Sequence, residues 1–154
     1  MKMFRDETWE QREKTLGDPA ENAFRQWADN RQLAYVRFGL ERPPIDMRRV
    51  PTMLRYTPDF LTDQGLFEVQ GCGQDQKFKF KHDKLFALRW WNRQADTTQV
   101  WLWNQPLDTC VTCHIEALFR YCWEDATLGL RTDGLFDGTK PYAEVTWSKL
   151  TGIT

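Results

Sequence analysis

Apolar positions recur at helical spacing in some stretches of the chain and at alternate residues in others. Ala20, Phe24 and Trp27 or Ala28 fall on one face of a helix running to about Asn30. Its start is marked by Gly17-Asp18-Pro19-Ala20-Glu21. Asp18 can cap, Pro19 sits where a missing N–H costs nothing, and Glu21 completes a capping box. Leu33 to Leu40 predicts a strand, which Pro43-Pro44 ends. A polar connector over 45–51 leads to a predicted hairpin from about Thr52 to Gly71. A Gly/Gln loop and a helix from about Lys77 to Asn92 come next. Gln99 to Trp103 predicts a short strand with both sheet faces covered. Ile115 to Trp123 predicts a helix, and the turn-rich tail from Gly129 holds a strand at Tyr142 to Trp147. Residues 1–16 read as a charged arm or short helix. This order predicts an α/β or α+β sandwich around a mixed sheet, in one domain over 1–154.

The hairpin carries the candidate chemistry. A turn at Asp63-Gln64 pairs Thr62 with Gly65, Leu61 with Leu66, Phe60 with Phe67 and Asp59 with Glu68. Strand alternation then puts Tyr56, Pro58, Phe60, Phe67 and Val69 on a core face, and Thr57, Asp59, Glu68 and Gln70 on the other. Asp59 and Glu68 therefore face each other with Cβ atoms ~5 Å apart. Two carboxylates at that range repel unless a cation lies between them, and oxygen-only ligation suits Mg²⁺ or Mn²⁺. The alternative is an exposed like-charge pair tolerated by solvent. A slip of one residue in the turn would rotate Glu68 to the opposite face.

Charge sharpens this picture. The 154 residues carry a formal net charge of −1. Between Lys77 and Arg93 lie six basic residues (Lys77, Lys79, Lys81, Lys84, Arg89, Arg93) against one acid, Asp83. A basic surface beside an acidic site suits an enzyme that must draw a phosphate past carboxylates; a solvated helix face is the plainer reading. With 41% hydrophobic and 14% aromatic residues, disorder is excluded. No twenty-residue apolar run and no signal-peptide core stand out, so a cytoplasmic protein without a membrane partner is expected.

Taken together, Glu21 on the first helix, Pro58-Asp59, Glu68-x-Gln70 and a following Lys-rich helix resemble the PD-(D/E)XK nuclease superfamily. Within it, Tyr56-Thr-Pro-Asp59-Phe-Leu followed by Gly65-Leu-Phe-Glu68-Val-Gln70-Gly71 resembles the phage endonuclease I group of Holliday-junction resolvases. The match runs roughly from Gly17 to Leu102, with the motif-bearing core at about 17–103. The resemblance implies a restriction-endonuclease-like fold, a mixed central sheet flanked by helices. It implies metal ligation by Asp59, Glu68 and the Val69 carbonyl, with Glu21 binding directly or through water. It further implies hydrolysis of DNA to a 5′-phosphate and a 3′-hydroxyl, a homodimer that makes two opposed cuts, and, for a phage protein, a bacterial host cell.

Gln70 departs from the pattern, which has lysine there. An amide can hydrogen-bond the attacking water but brings no positive charge, although some active members of the superfamily also carry Gln. In the predicted helix from Lys77, the residues Lys77, Lys81 and Lys84 lie three to four apart and share a face, and Lys81 is the expected migrated lysine. Lys77, Lys79 and Lys84 are the expected nucleic-acid contacts. Glu21 has an alternative role as the capping-box acid. A restriction-like, nicking or repair nuclease is one rival reading; a non-catalytic nucleic-acid-binding or assembly protein is another.

Cys110-x-x-Cys113-His114 invites a zinc or haem reading, but zinc would need Cys72, His82 or Cys122 to converge, so buried thiols are expected. Gly71-Cys-Gly73 reads as a flexible loop. Trp90-Trp91 and Trp101-x-Trp103 read as core, with base stacking as the functional alternative.

Overall fold

Helix α1 (Asp18–Asn30) forms where the periodicity places it. Ala20, Phe24 and Ala28, four residues apart, are all buried. The helix ends where Gln32 turns left-handed (φ 56°) and the Leu33 amide donates back to the Ala28 carbonyl at 2.9 Å. The computed structural model describes residues 18–40, 45–95, 97–125 and 129–153. The expected N-terminal arm (1–16), Gly17 and the strand-ending Pro43-Pro44 lie outside them.

A five-stranded sheet follows, with β1 (Tyr35–Arg37), β2 (Phe60–Thr62), β3 (Gly65–Cys72), β5 (Thr98–Asn104) and β6 (Thr109–His114) side by side in that order. The β3–β5 pair is parallel and the other pairs are antiparallel, so the sheet is mixed. Parallel neighbours need a crossover. It is supplied by β4 (Lys77–Lys81) and helix α3 (His82–Ala95). Helix α4 (Ile115–Cys122) packs beside α3. A short pair joins β7 (Trp123–Asp125) to β8 (Gly129–Leu130), and a smaller sheet joins β4 to β10 (Lys140–Thr146), and β10 to β9 (Gly134–Phe136).

The central sheet separates two apolar clusters. On one face Phe24 of α1 packs against Phe60, Phe67 and Trp101, with ring centroids 4.7, 5.4 and 5.5 Å away. On the other, Val100, Leu102 and Cys113 meet Leu85 and Leu88 of α3, Leu118 of α4, and Phe78, Phe80, Ala143 and Val145 of the small sheet. Burial on both faces explains the continuous apolar centre of β5. Together these layers form a mixed sheet flanked by helices, a generic α/β architecture.

Several expected elements change. The strand at Leu33–Leu40 shortens to Tyr35–Arg37. The hairpin proper starts only at Phe60, because helix α2 (Thr52–Arg55) precedes it; Trp91 of α3 donates to the Met53 carbonyl at 2.9 Å. The expected helix from Lys77 is a strand up to Lys81. Lys-Phe-Lys-Phe-Lys is a period-two pattern that buries Phe78 and Phe80 and turns Lys77, Lys79 and Lys81 to the other face. The Gly71–Gly73 loop is in part strand, since Gly71 and Cys72 pair with Trp103 and Asn104. Trp101 is core as expected, whereas Trp90 is 40% exposed.

Candidate functional site

The hairpin register is the expected one, with Thr62 opposite Gly65, Leu61 opposite Leu66 and Phe60 opposite Phe67. Gly65 takes φ 109°, a left-handed conformation that suits glycine at the end of the turn. Asp59 lies one step beyond the last pair and is anchored at both ends. Its carbonyl accepts from the amides of Phe38 and Gly39, at 2.9 and 3.2 Å. Its Oδ2 accepts from the Val69 amide at 2.8 Å. A Cβ on Gly39 would come within 2.9 Å of the Pro58 carbonyl oxygen, so only glycine lets the chain pass this close behind the acid.

Glu68, in the centre of β3, is buried on the face that α3 covers, and Lys84 in the first turn of α3 forms an ion pair with it. Burial pushes the Asp59 carboxyl well above the ordinary carboxylate range, and the charge of Glu68 adds to the rise. Burial likewise raises Glu68, with Lys84 offsetting part of the effect. For Lys84, burial alone would lower the pKa, but Glu68 and then Asp59 outweigh it and hold the ammonium above its ordinary value. The result is a desolvated cluster of two acids and one base.

Glu21 reaches the same end of the sheet through Arg37. The Arg37 Nη1 lies 2.6 Å from Glu21 Oε2, and its Nη2 lies 3.6 Å from Asp59 Oδ1. Arg25 adds a longer contact to Glu21 at 3.9 Å. The structure therefore brings Glu21, Asp59, Glu68 and Lys84 into one electrostatic neighbourhood. Gln70 turns away to Lys79, donating from Nε2 to its carbonyl at 3.3 Å.

The other expected lysines are elsewhere. Lys77, Lys81 and Lys84 share no helical face, because the first two belong to β4. Lys81 lies over the Phe136 ring at 4.9 Å, Lys79 over Tyr142 at 5.2 Å, and Lys77 pairs with Glu144 at 3.3 Å. Lys84 is the lysine that meets the acids. Sequence reasoning missed the role of Arg37, which pairs with Phe60 in the β1–β2 register and so stands next to Asp59.

Burial raises both carboxyls, and the charge of Glu68 raises Asp59 further; carboxylate oxygens of this kind are donors that fit a hard divalent cation. A larger cage is not formed: among the described residues, no three His, Cys, Asp or Glu side chains converge at metal-holding spacing. Glu21 is engaged with Arg37 instead.

The Cys-x-x-Cys-His segment is structural. Cys110 and Cys113 lie on strand β6, where an offset of three residues sends them to opposite faces and into different clusters. The four cysteines are free thiols, and burial pushes Cys113 up to about 12. His114 caps α4, its Nδ1 accepting from the Glu116 amide at 3.2 Å. No described helix is long and apolar enough to cross a membrane. No family model, no curated protein and no solved structure matches the chain.

Proposed function

We propose that this chain is a divalent-cation-dependent endonuclease that hydrolyses phosphodiester bonds in DNA, with branched or recombination intermediates as its substrates. The observation that carries the reading is the acid pair of half-buried Asp59 and buried Glu68, with the Lys84 ammonium against Glu68. Asp59 and Glu68 would hold Mg²⁺ or Mn²⁺, with the Val69 carbonyl as a third donor and Glu21 contributing through water. Bound there, the ion would polarise the phosphate and lower the pKa of a coordinated water.

The chain's own residues do the rest. The Val69 amide fixes the Asp59 carboxylate, and Arg37 holds Glu21 and Asp59 in register. Lys84, whose ammonium lies against Glu68, would supply the positive charge that Gln70 lacks, toward the negative charge that builds on the attacked phosphate. Water adds to phosphorus as the P–O3′ bond breaks, leaving a 5′-phosphate and a 3′-hydroxyl. Lys77 and Lys79, on the face of β4 opposite Phe78 and Phe80, would contact flanking phosphates. The fold in this reading is restriction-endonuclease-like, acting in the cytoplasm as a homodimer.

One observation favours a second reading. Arg37 and Lys84 already answer Glu21, Asp59 and Glu68, as they would in a nucleic-acid-binding or assembly protein that keeps the fold without cutting. Pure protein should therefore be assayed in Mg²⁺ and in Mn²⁺ on duplex, nicked, flapped and four-way DNA. Cleavage abolished by Asp59→Ala is the expected result. DNA binding with no cleavage of any substrate in either ion would overturn the nuclease reading.

A further inference from the structure

Away from the acid pair, large exposed rings gather on α3 and α4. Phe86 and Trp90, one turn apart on α3, are 46% and 40% exposed, and Trp123, just after α4, is 37% exposed. Between the helices opens a groove of about 540 Å³ lined by Arg89, Glu116, Phe119, Arg120 and Trp123. The Trp123 and Phe119 rings stack with centroids 5.5 Å apart and planes 28° from parallel. Phe86 meets Phe119 edge-on at 5.3 Å.

Charge in the groove is uneven. The Arg89 guanidinium lies 4.5 Å from the Phe119 centroid, and its Nε donates to both Glu116 oxygens at 3.0 Å. That pair is neutral and pre-ordered. Arg120 is exposed and has no carboxylate partner among the described residues, so among them the groove carries a cation that no acid answers. A flat apolar shelf with an unpaired guanidinium beside it matches a flat π-faced group bearing an anion. A nucleobase with its phosphate is such a group, and stacking tolerates any base.

We propose that the groove between α3 and α4 binds single-stranded nucleic acid, one base stacking on Trp123 and its phosphate meeting Arg120. The exposed Trp90, on α3 across from them, offers a second shelf. The groove is distinct from the acid pair. Lys84 and Arg89 are five residues apart on α3, about 7.5 Å along its axis and about 140° round it. Binding here does not depend on cleavage.

The test is fluorescence anisotropy of a labelled oligothymidylate with the full chain in EDTA and low salt, alongside quenching of tryptophan fluorescence. Wild type should bind with quenching. Trp123→Ala and Arg120→Glu should each weaken binding by about fivefold or more. Arg120 is exposed and forms no ion pair among the described residues, so its variant reports on binding even if Trp123→Ala disturbs the fold. Wild type that fails to bind, or Arg120→Glu that binds like wild type, overturns the proposal. So does a wild type dimer that Trp123→Ala dissociates while oligothymidylate affinity stays unchanged, because a second copy then covers the rings. A chain that binds oligothymidylate but cuts nothing would refute the nuclease reading and leave this one standing.

Discussion

Lys84→Met isolates the electrostatics of the acid pair. The substitution keeps most of the side-chain stem and removes the ammonium that faces Glu68, whose side chain is only 6% exposed. Breaking a buried ion pair by deleting one partner costs about 3–5 kcal/mol, because the other charge is left uncompensated. Lys84 itself is 22% exposed, so water enters where its ammonium was and takes up part of the Glu68 charge. A loss of about 3 kcal/mol is therefore expected, at the lower end of that range.

The pH dependence has a definite sign. Burial already raises Glu68, and without Lys84 it rises further. An acid raised in the folded state destabilises the fold above its folded pKa, and the penalty fades as pH falls through that value. The deficit of Lys84→Met should thus be largest near neutral pH and shrink as the solution becomes acidic. In wild type, the stability contributed by Lys84 is lost only as pH rises through its raised pKa, above the ordinary lysine range. Urea denaturation in EDTA at several pH values measures both effects. Glu68→Gln added to Lys84→Met should recover most of the loss, the signature of direct coupling. A deficit under about 0.5 kcal/mol, or one that ignores pH and Glu68→Gln, would refute the reasoning.

Four further outcomes follow from the same geometry. Phe24→Ala should cost about 3–5 kcal/mol in thermal or chemical denaturation, since Phe24 is fully buried against Phe60, Phe67 and Trp101. Gly39→Ala should cost about 1–3 kcal/mol, as its Cβ meets backbone oxygens at 2.9 and 3.0 Å; an unchanged melting temperature would count against that packing. Burial works against ionisation of Asp133, but the Glu144 amide and Arg131 win and hold its carboxyl below the ordinary range. Asp133→Asn should then cost about 1–2 kcal/mol at neutral pH, a deficit that disappears as pH falls through the folded pKa. Cys72, Cys113 and Cys122, pushed up to about 11, about 12 and about 11, should resist a thiol reagent at pH 8 until the protein unfolds.

The sequence was most informative where a local pattern coincided with burial. Ala20, Phe24 and Ala28 marked α1, and the apolar centre of β5 marked a strand covered on both faces. The turn at Asp63-Gln64 set the register that places Asp59 beside β3. Between Lys77 and Lys84 the legible signal was misread. Counting lysines at helical spacing hid the alternation of Phe78 and Phe80, which is the stronger signal because it says what is buried. That error pointed to Lys81 in place of Lys84. Strand β6 was hidden because Cys110, Thr112 and Cys113 show no clean alternation and its cysteines serve two cores. The role of Arg37 was not legible at all, since it arises from β1 pairing with β2 across more than twenty residues of chain.

The central claim is that Asp59 and Glu68 share a divalent cation. Titration of the full chain with Mn²⁺, followed by electron paramagnetic resonance of the free ion, tests it without requiring the right DNA substrate. Saturable binding that is lost in Asp59→Asn, with that variant still folded by circular dichroism, is the predicted result. Wild type that takes up no Mn²⁺, or binding that survives Asp59→Asn unchanged, would contradict the account.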